Sequence, residues 1–99
     1  MTTHNKAGQA DELEAIRRDI DAIDDGLLTL LERRFAASER VKAVKAASPA
    51  ATGSPFRPAR EAAIIRRLLA RSGGRVPQDV MVRLWRTILT GSSRSQAAI

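Results

Sequence analysis

Ile16, Ile20, Ile23, Leu27 and Leu30 recur alternately three and four residues apart, the spacing that lines side chains along one face of an α-helix. Continued at the same spacing, the stripe passes through Arg34, Ser38, Val41 and Lys45. Two cations thus stand where packing asks for Leu or Ile. Taking an unpaired cation out of water costs several kcal/mol, roughly, so an interior that receives one must supply negative charge. No acidic residue on the stripe is available for the task. A bound anion is one candidate partner. The plainer alternative is that both side chains snorkel, with their stems covered and their charges in water.

The helical pattern around this stripe is long. Met1 to about Ala10 carries no periodicity and reads as a flexible leader (1–10), and His4 within it is expected to be neither ligand nor catalyst. Asp11 is the expected N-cap, with Glu14 three residues later in a pattern like a capping box. From there the pattern runs to about Ala47, broken only by Gly26, which costs about 1 kcal/mol relative to Ala. Some 36 residues of helix would measure ~54 Å at 1.5 Å per residue, far beyond the radius of a compact fold of this size. One chain is too small to cover such a face, so a dimer of long helices is expected. The folded domain is expected to span 11–99.

After this helix, Ser48 to Pro58 holds four prolines and glycines in SPAATGSPFRP and reads as a connecting loop. A second helix is expected from Pro58 to about Ser72, with Ile64, Ile65, Leu68 and Leu69 inward and Gly73 as its stop. Pro77 opens a third, running to about Gln96, whose apolar face is Met81, Leu84, Trp85 and Ile88. No internal repeat and no strand candidate is visible. The expected class is all-α, with one long and two shorter helices per chain.

Composition narrows the function. The 99 residues suit one small domain, 43% hydrophobic and 28% charged, with one Trp, two Phe and no Tyr. So few aromatic residues leave no stacking platform for nucleic acid. The absence of Cys excludes a disulfide framework and a thiolate metal site. No apolar run approaches the ~20 residues of a membrane span, and no signal-peptide core is evident, so a cytoplasmic protein that binds neither membrane nor nucleic acid is expected. The net charge of +6, from 17 Lys and Arg against 11 Asp and Glu, is spread along all three helical segments and not massed in a tail. Much of it is expected to be solvated surface.

Helix geometry shows which polar residues share a face. Arg34 and Lys45, eleven residues apart, differ by only ~20° in direction and lie ~16 Å apart along the axis. On the third helix Trp85, Ser92 and Gln96 fall within ~20° of one another, so its inward face turns from apolar to hydrogen-bonding near its end. Glu61 shares a face with Ile65 and Leu68 at the start of the second helix, beside Arg60. Taken singly, Ser92 and Gln96 read as a fraying helix end, Glu61 as a first-turn acid favoured by the helix dipole, and Arg60 as surface. All three helices nonetheless turn polar on an inward face toward one end.

These residues, in this order, resemble the all-helical chorismate mutases of the AroQ class. The resemblance spans about Leu13 to Gln96. The segment IRRDIDAIDDGLLTLLERR is similar to that family's first helix, with a Lys eleven residues beyond its final Arg. Arg60–Glu61 matches the R-E pair opening the second helix, and Ser92 with Gln96 the S…Q pair near the end of the third. The resemblance implies an intertwined helical homodimer with shared active sites. It assigns carboxylate binding to Arg17 and Arg34, ether-oxygen contacts to Lys45 and Gln96, and the ring-hydroxyl contact to Glu61. Arg60 and Ser92 match supporting polar positions. Arg57 is a departure: many members have Asp there, in a D-P-x-R-E pattern that reads R-P-A-R-E in this chain. A main-chain contact to substrate survives that change, whereas a side-chain role for the acid does not.

Arg17 gives the resemblance independent support. It lies ~25 Å along the helix from Arg34 at 1.5 Å per residue, too far for one small ligand, so a site using both must draw them from two chains. The implied substrate is chorismate, whose two carboxylates would answer the buried cations, and the implied product is prephenate for Phe and Tyr biosynthesis. The bond exchange is intramolecular and needs no metal or cofactor. Two rivals stand beside this reading. One is isochorismate pyruvate lyase, with a similar fold and cation set but lacking an acid at the Glu61 position. The other is a non-catalytic helical interaction or nucleic-acid-binding module, against which stands the inward phase of the cations.

Overall fold

In a computed structural model of the chain, three helices follow one another: α1 (Lys6–Ala47), α2 (Pro58–Arg71) and α3 (Gln78–Ala97). The structure describes residues 6–47 and 57–97, with side chains at 7–47 and 57–94. Among the described residues there is no strand, so the all-α expectation of one long and two shorter helices is met. The expected loop lies outside the described residues from 48 to 56, as do residues 1–5 of the expected leader, His4 included. The chain divides into two compact units, Met1–Arg34 and Phe35–Ile99, with the boundary inside α1.

The first unit is the N-terminal part of α1. It is already helical at Lys6, five residues ahead of the expected start, so Asp11 lies inside the helix and is not its N-cap. Backbone bonding explains the difference. Ala7, Gln9 and Ala10 are good helix formers that prolong the i→i−4 ladder without adding to an apolar stripe. Periodicity marks the face a helix offers for burial, and the backbone helix extends past it. The stripe itself is uncovered within its own unit: Ile16, Ile20, Ile23, Leu27 and Leu30 keep between 49% and 59% of their surface exposed. Leu13, Leu28 and Leu31 are exposed beside them. The Thr29 hydroxyl donates to the Asp25 carbonyl at 3.1 Å, satisfying itself within its own helix.

In the second unit α2 and α3 pack against each other. Ile64 is buried from α2, and Met81, Ile88 and Leu89 from α3. Ile65, Leu68 and Leu69 are half-buried, on the inward face expected for them. The expected apolar face of α3 needs one correction: Leu84 is 48% exposed and Leu89 is buried in its stead. Leu84 stands about 60° to one side of Met81 at 100° per residue, and Leu89 about 80° to the other, so packing rotates the buried arc away from Leu84. α3 begins as Pro77 predicts, with the Met81 N–H donating to the Pro77 carbonyl at 3.1 Å. Asp79 in its first turn binds Arg83 one turn on at 2.6 Å. Both side chains are largely exposed, so this pair contributes roughly 0.3–0.5 kcal/mol.

The end of α2 also differs from expectation. Ser72, in extended conformation, closes the helix, and its N–H donates to the Leu68 and Leu69 carbonyls. Gly74, at φ 85°, takes the left-handed conformation expected of Gly73. The Ser72 hydroxyl accepts the Gly74 N–H at 3.2 Å, which holds the reversal one residue further along. A Cβ would meet nothing within 4 Å at either glycine, so only backbone conformation distinguishes them. Gly74→Ala is therefore expected to lower stability by about 1–2 kcal/mol and Gly73→Ala by less than about 0.5 kcal/mol. Urea unfolding at one protomer concentration checks this, and equal losses would refute the placement of the turn.

Candidate active site

The N-terminal unit carries two of the eight residues singled out in the sequence. Arg17 is exposed and Arg34 half-buried. The arginine within the apolar stripe is thus partly withdrawn from water, and the one beside its start is not.

The second unit carries the other six. Lys45 is half-buried in the last turn of α1, where the helix dipole also favours a cation. Glu61 is half-buried in the first turn of α2, and its N–H donates to the Arg57 carbonyl at 3.0 Å. Arg57 occupies the N-cap position without a side-chain capping bond, so its main chain serves the helix start and its side chain is exposed. Arg60 is exposed. Ser92 is only 5% exposed, which excludes the frayed-end reading for it. Gln96 lies within α3, but its side chain is outside the described residues.

Burial adds three residues that the sequence did not single out for function. Ser38, on the continued stripe, is 7% exposed. Phe35, half-buried one turn earlier, brings its ring against Gly91 of α3: a Cβ placed on Gly91 would stand 3.0 Å from Cζ and 3.2 Å from Cε2. This contact joins the C-terminal part of α1 to the end of α3 that carries Ser92. A signal existed for Gly91. An isolated glycine inside a helical stretch costs about 1 kcal/mol relative to Ala and calls for a packing reason. Nothing in the sequence names Phe35 as that reason.

The unit thus buries two hydroxyls, Ser38 and Ser92, along with its small apolar core, and half-buries Lys45 and Glu61. Among the described residues no group of three or more His, Cys, Asp or Glu is placed to hold a metal ion. Among them, too, no helix is long and apolar enough to cross a membrane.

The chorismate mutase type II family matches residues 16–97. The chain belongs to that family. All eight candidate residues, from Arg17 to Gln96, fall inside the matched segment. A bifunctional chorismate mutase/prephenate dehydratase of Stutzerimonas stutzeri is 36% identical over 84 residues, covering 83% of this chain and 23% of the relative. A protein of the same description from Pseudomonas aeruginosa is 30% identical over 82 residues, covering 81% of this chain and 22% of its own length. The chain thus spans less than a quarter of the length of these curated relatives. No solved structure matches it. In this chorismate mutase-family chain, the burial of Ser92 and the exposure of Arg57 and Arg60 separate their structural roles. Ser92→Leu, which forces bulk into a filled site, is expected to cost about 1–3 kcal/mol. Arg57→Ala and Arg60→Ala are each expected to stay within about 0.5 kcal/mol of the parent. Thermal or urea unfolding checks the contrast, and a Ser92→Leu chain as stable as the parent would contradict the burial.

Proposed function

We propose that this chain rearranges chorismate to prephenate for aromatic amino acid biosynthesis, as a cytoplasmic homodimer whose two sites each draw residues from both chains. One observation carries the reading. Arg34 and Lys45 are half-buried on a largely apolar helical stripe, inside the segment that matches the chorismate mutase type II family. The family matched is the mutase, so the rearrangement, and not the dehydration in the relatives' names, is what this chain shares with them.

The chemistry suits these side chains. In the rearrangement one C–O bond breaks and one C–C bond forms within a single molecule, with no group transferred to the protein. Catalysis then rests on holding the reactive conformer and stabilising charge as it develops. Arg34 of one chain and Arg17 of the other grip the two carboxylates, a task for which the planar guanidinium is shaped. Lys45 and Gln96 donate to the ether oxygen as its bond lengthens, so their bonds strengthen toward the transition state. Glu61 accepts from the ring hydroxyl, with Arg60 and Ser92 in support. Arg57 offers its main chain where many family members have Asp.

The dimer is supported by the exposed stripe from Leu13 to Leu31. A second copy laying the same face against it would cover both faces at once and carry Arg17 to the distant site. Among rivals, isochorismate lysis is disfavoured by Glu61, and nucleic-acid binding by the half-burial of Arg34 and Lys45.

Four measurements test the proposal. Purified protein is given chorismate and isochorismate separately; prephenate from the first is expected, while salicylate from the second alone would favour the lyase. Lys45→Ala is expected to lower kcat about 100- to 1,000-fold with a much smaller change in KM, and unchanged turnover would remove Lys45 from the mechanism. Solution mass should correspond to two chains. Ile20→Asp, at the centre of the stripe, is expected to yield monomer and abolish activity together. A fully active monomer would end the shared-site reading.

A further inference from the structure

We propose that the contact between Phe35 and Gly91 is a positioning device for the rearrangement, setting how closely α3 approaches α1 at the level of Ser92. The inference rests on the mutase reading above. Its geometry is specific to one place. At Gly26, also inside a helix, a Cβ would meet nothing within 4 Å; at Gly91 it would lie 3.0 Å from Cζ and 3.2 Å from Cε2 of Phe35. Carbon atoms pack favourably at roughly 3.5–4.0 Å, so the ring occupies the space any other residue's side chain would need. Glycine is the poorest helix former after proline, and here it permits an approach that no other residue does.

What surrounds the contact makes it matter for catalysis. Ser92 follows Gly91 directly and Ser38 follows Phe35 by one turn, and both are buried. Gln96 comes one turn after Ser92 on the same helix. A methyl group at Gly91 must push the ring or the helix by a few tenths of an ångström, moving the turn that presents Ser92 and Gln96. Misplacement by ~1 Å costs catalysis on the order of 100-fold, so a shift of a few tenths should cost several-fold. Phe35 and Gly91 touch no substrate in this scheme and act through Ser92 and Gln96.

The test is a double-mutant cycle in the full-length chain, with kcat, KM and Tm measured for each member. Gly91→Ala is expected to keep or raise Tm, because Ala favours helix, while kcat/KM falls about 5- to 10-fold, mostly in kcat. Phe35→Leu removes Cζ and both Cε atoms and is expected to lower kcat/KM about 3-fold by loosening the approach. The double variant, in which the shorter side chain makes room for the methyl, is expected to recover to within about 2-fold of the parent. Gly91→Ala with parental kinetics, whatever its Tm, overturns the inference, and so does a double variant no better than the worse single one. Where Gly91→Ala does not fold, Phe35→Leu answers alone: lower kcat at retained Tm supports positioning, and parental kcat overturns it. A parent chain that leaves chorismate unchanged overturns the mutase reading and this inference with it, whereas an active parent beside an equally active Gly91→Ala overturns this inference alone.

Discussion

Water is a poor neighbour for the stripe that runs from Leu13 to Leu31, and nothing in its own unit covers it. Burying a Leu or Ile side chain is worth about 1.5–3 kcal/mol. Five stripe residues that are each about half exposed therefore leave something like 5 kcal/mol per chain to be gained by cover. A gain of that size is comparable to the whole stability of a small domain. The proposed second copy supplies cover of matching length and pattern. The placement of Arg34 follows from the same constraint, since a cation is tolerated on such a face only where an anion or water meets it.

The second unit solves a different problem. Among the described residues its buried apolar side chains are few (Ile64, Met81, Ile88 and Leu89), and two hydroxyl residues, Ser38 and Ser92, are buried in the same unit. Ser38 and Ser92 are small enough to be buried without displacing the core, and a hydroxyl can donate or accept as its surroundings require. Gly91 and Phe35 interlock beside them. A ring seated on bare backbone supports these helix ends with very little material, as the proposed site requires. Glu61 and Lys45, at the start of α2 and the end of α1, stand where helix termini favour their charges.

Where the sequence misled, the cause is physical in each case. Asp11 resembled a cap because it stands just ahead of the apolar stripe, and the helical backbone extends past that point to Lys6. Gly73 and Gly74 are adjacent and equally permissive, and the choice fell to Gly74 because the Ser72 hydroxyl accepts its N–H. Leu84 and Leu89 flank one arc of α3, and only tertiary packing decides which of them is buried. Gln96 was named from helical phase and from resemblance, and its side chain lies outside the described residues. Ser92 was named on the same two grounds, and its burial supports the argument from phase.

Local periodicity by itself determined the three helices, the inward faces of Ile64 and Met81, and the anomalous phase of Arg34 and Lys45. All of these follow from a repeat of 3.6 residues, which is written along the chain. Tertiary structure decided the depth at which Ser38 and Ser92 are buried, the exposure of Arg57 and Arg60, and the seat of the Phe35 ring on Gly91. Those depend on how far one helix stands from another, a distance that no spacing within a single helix encodes.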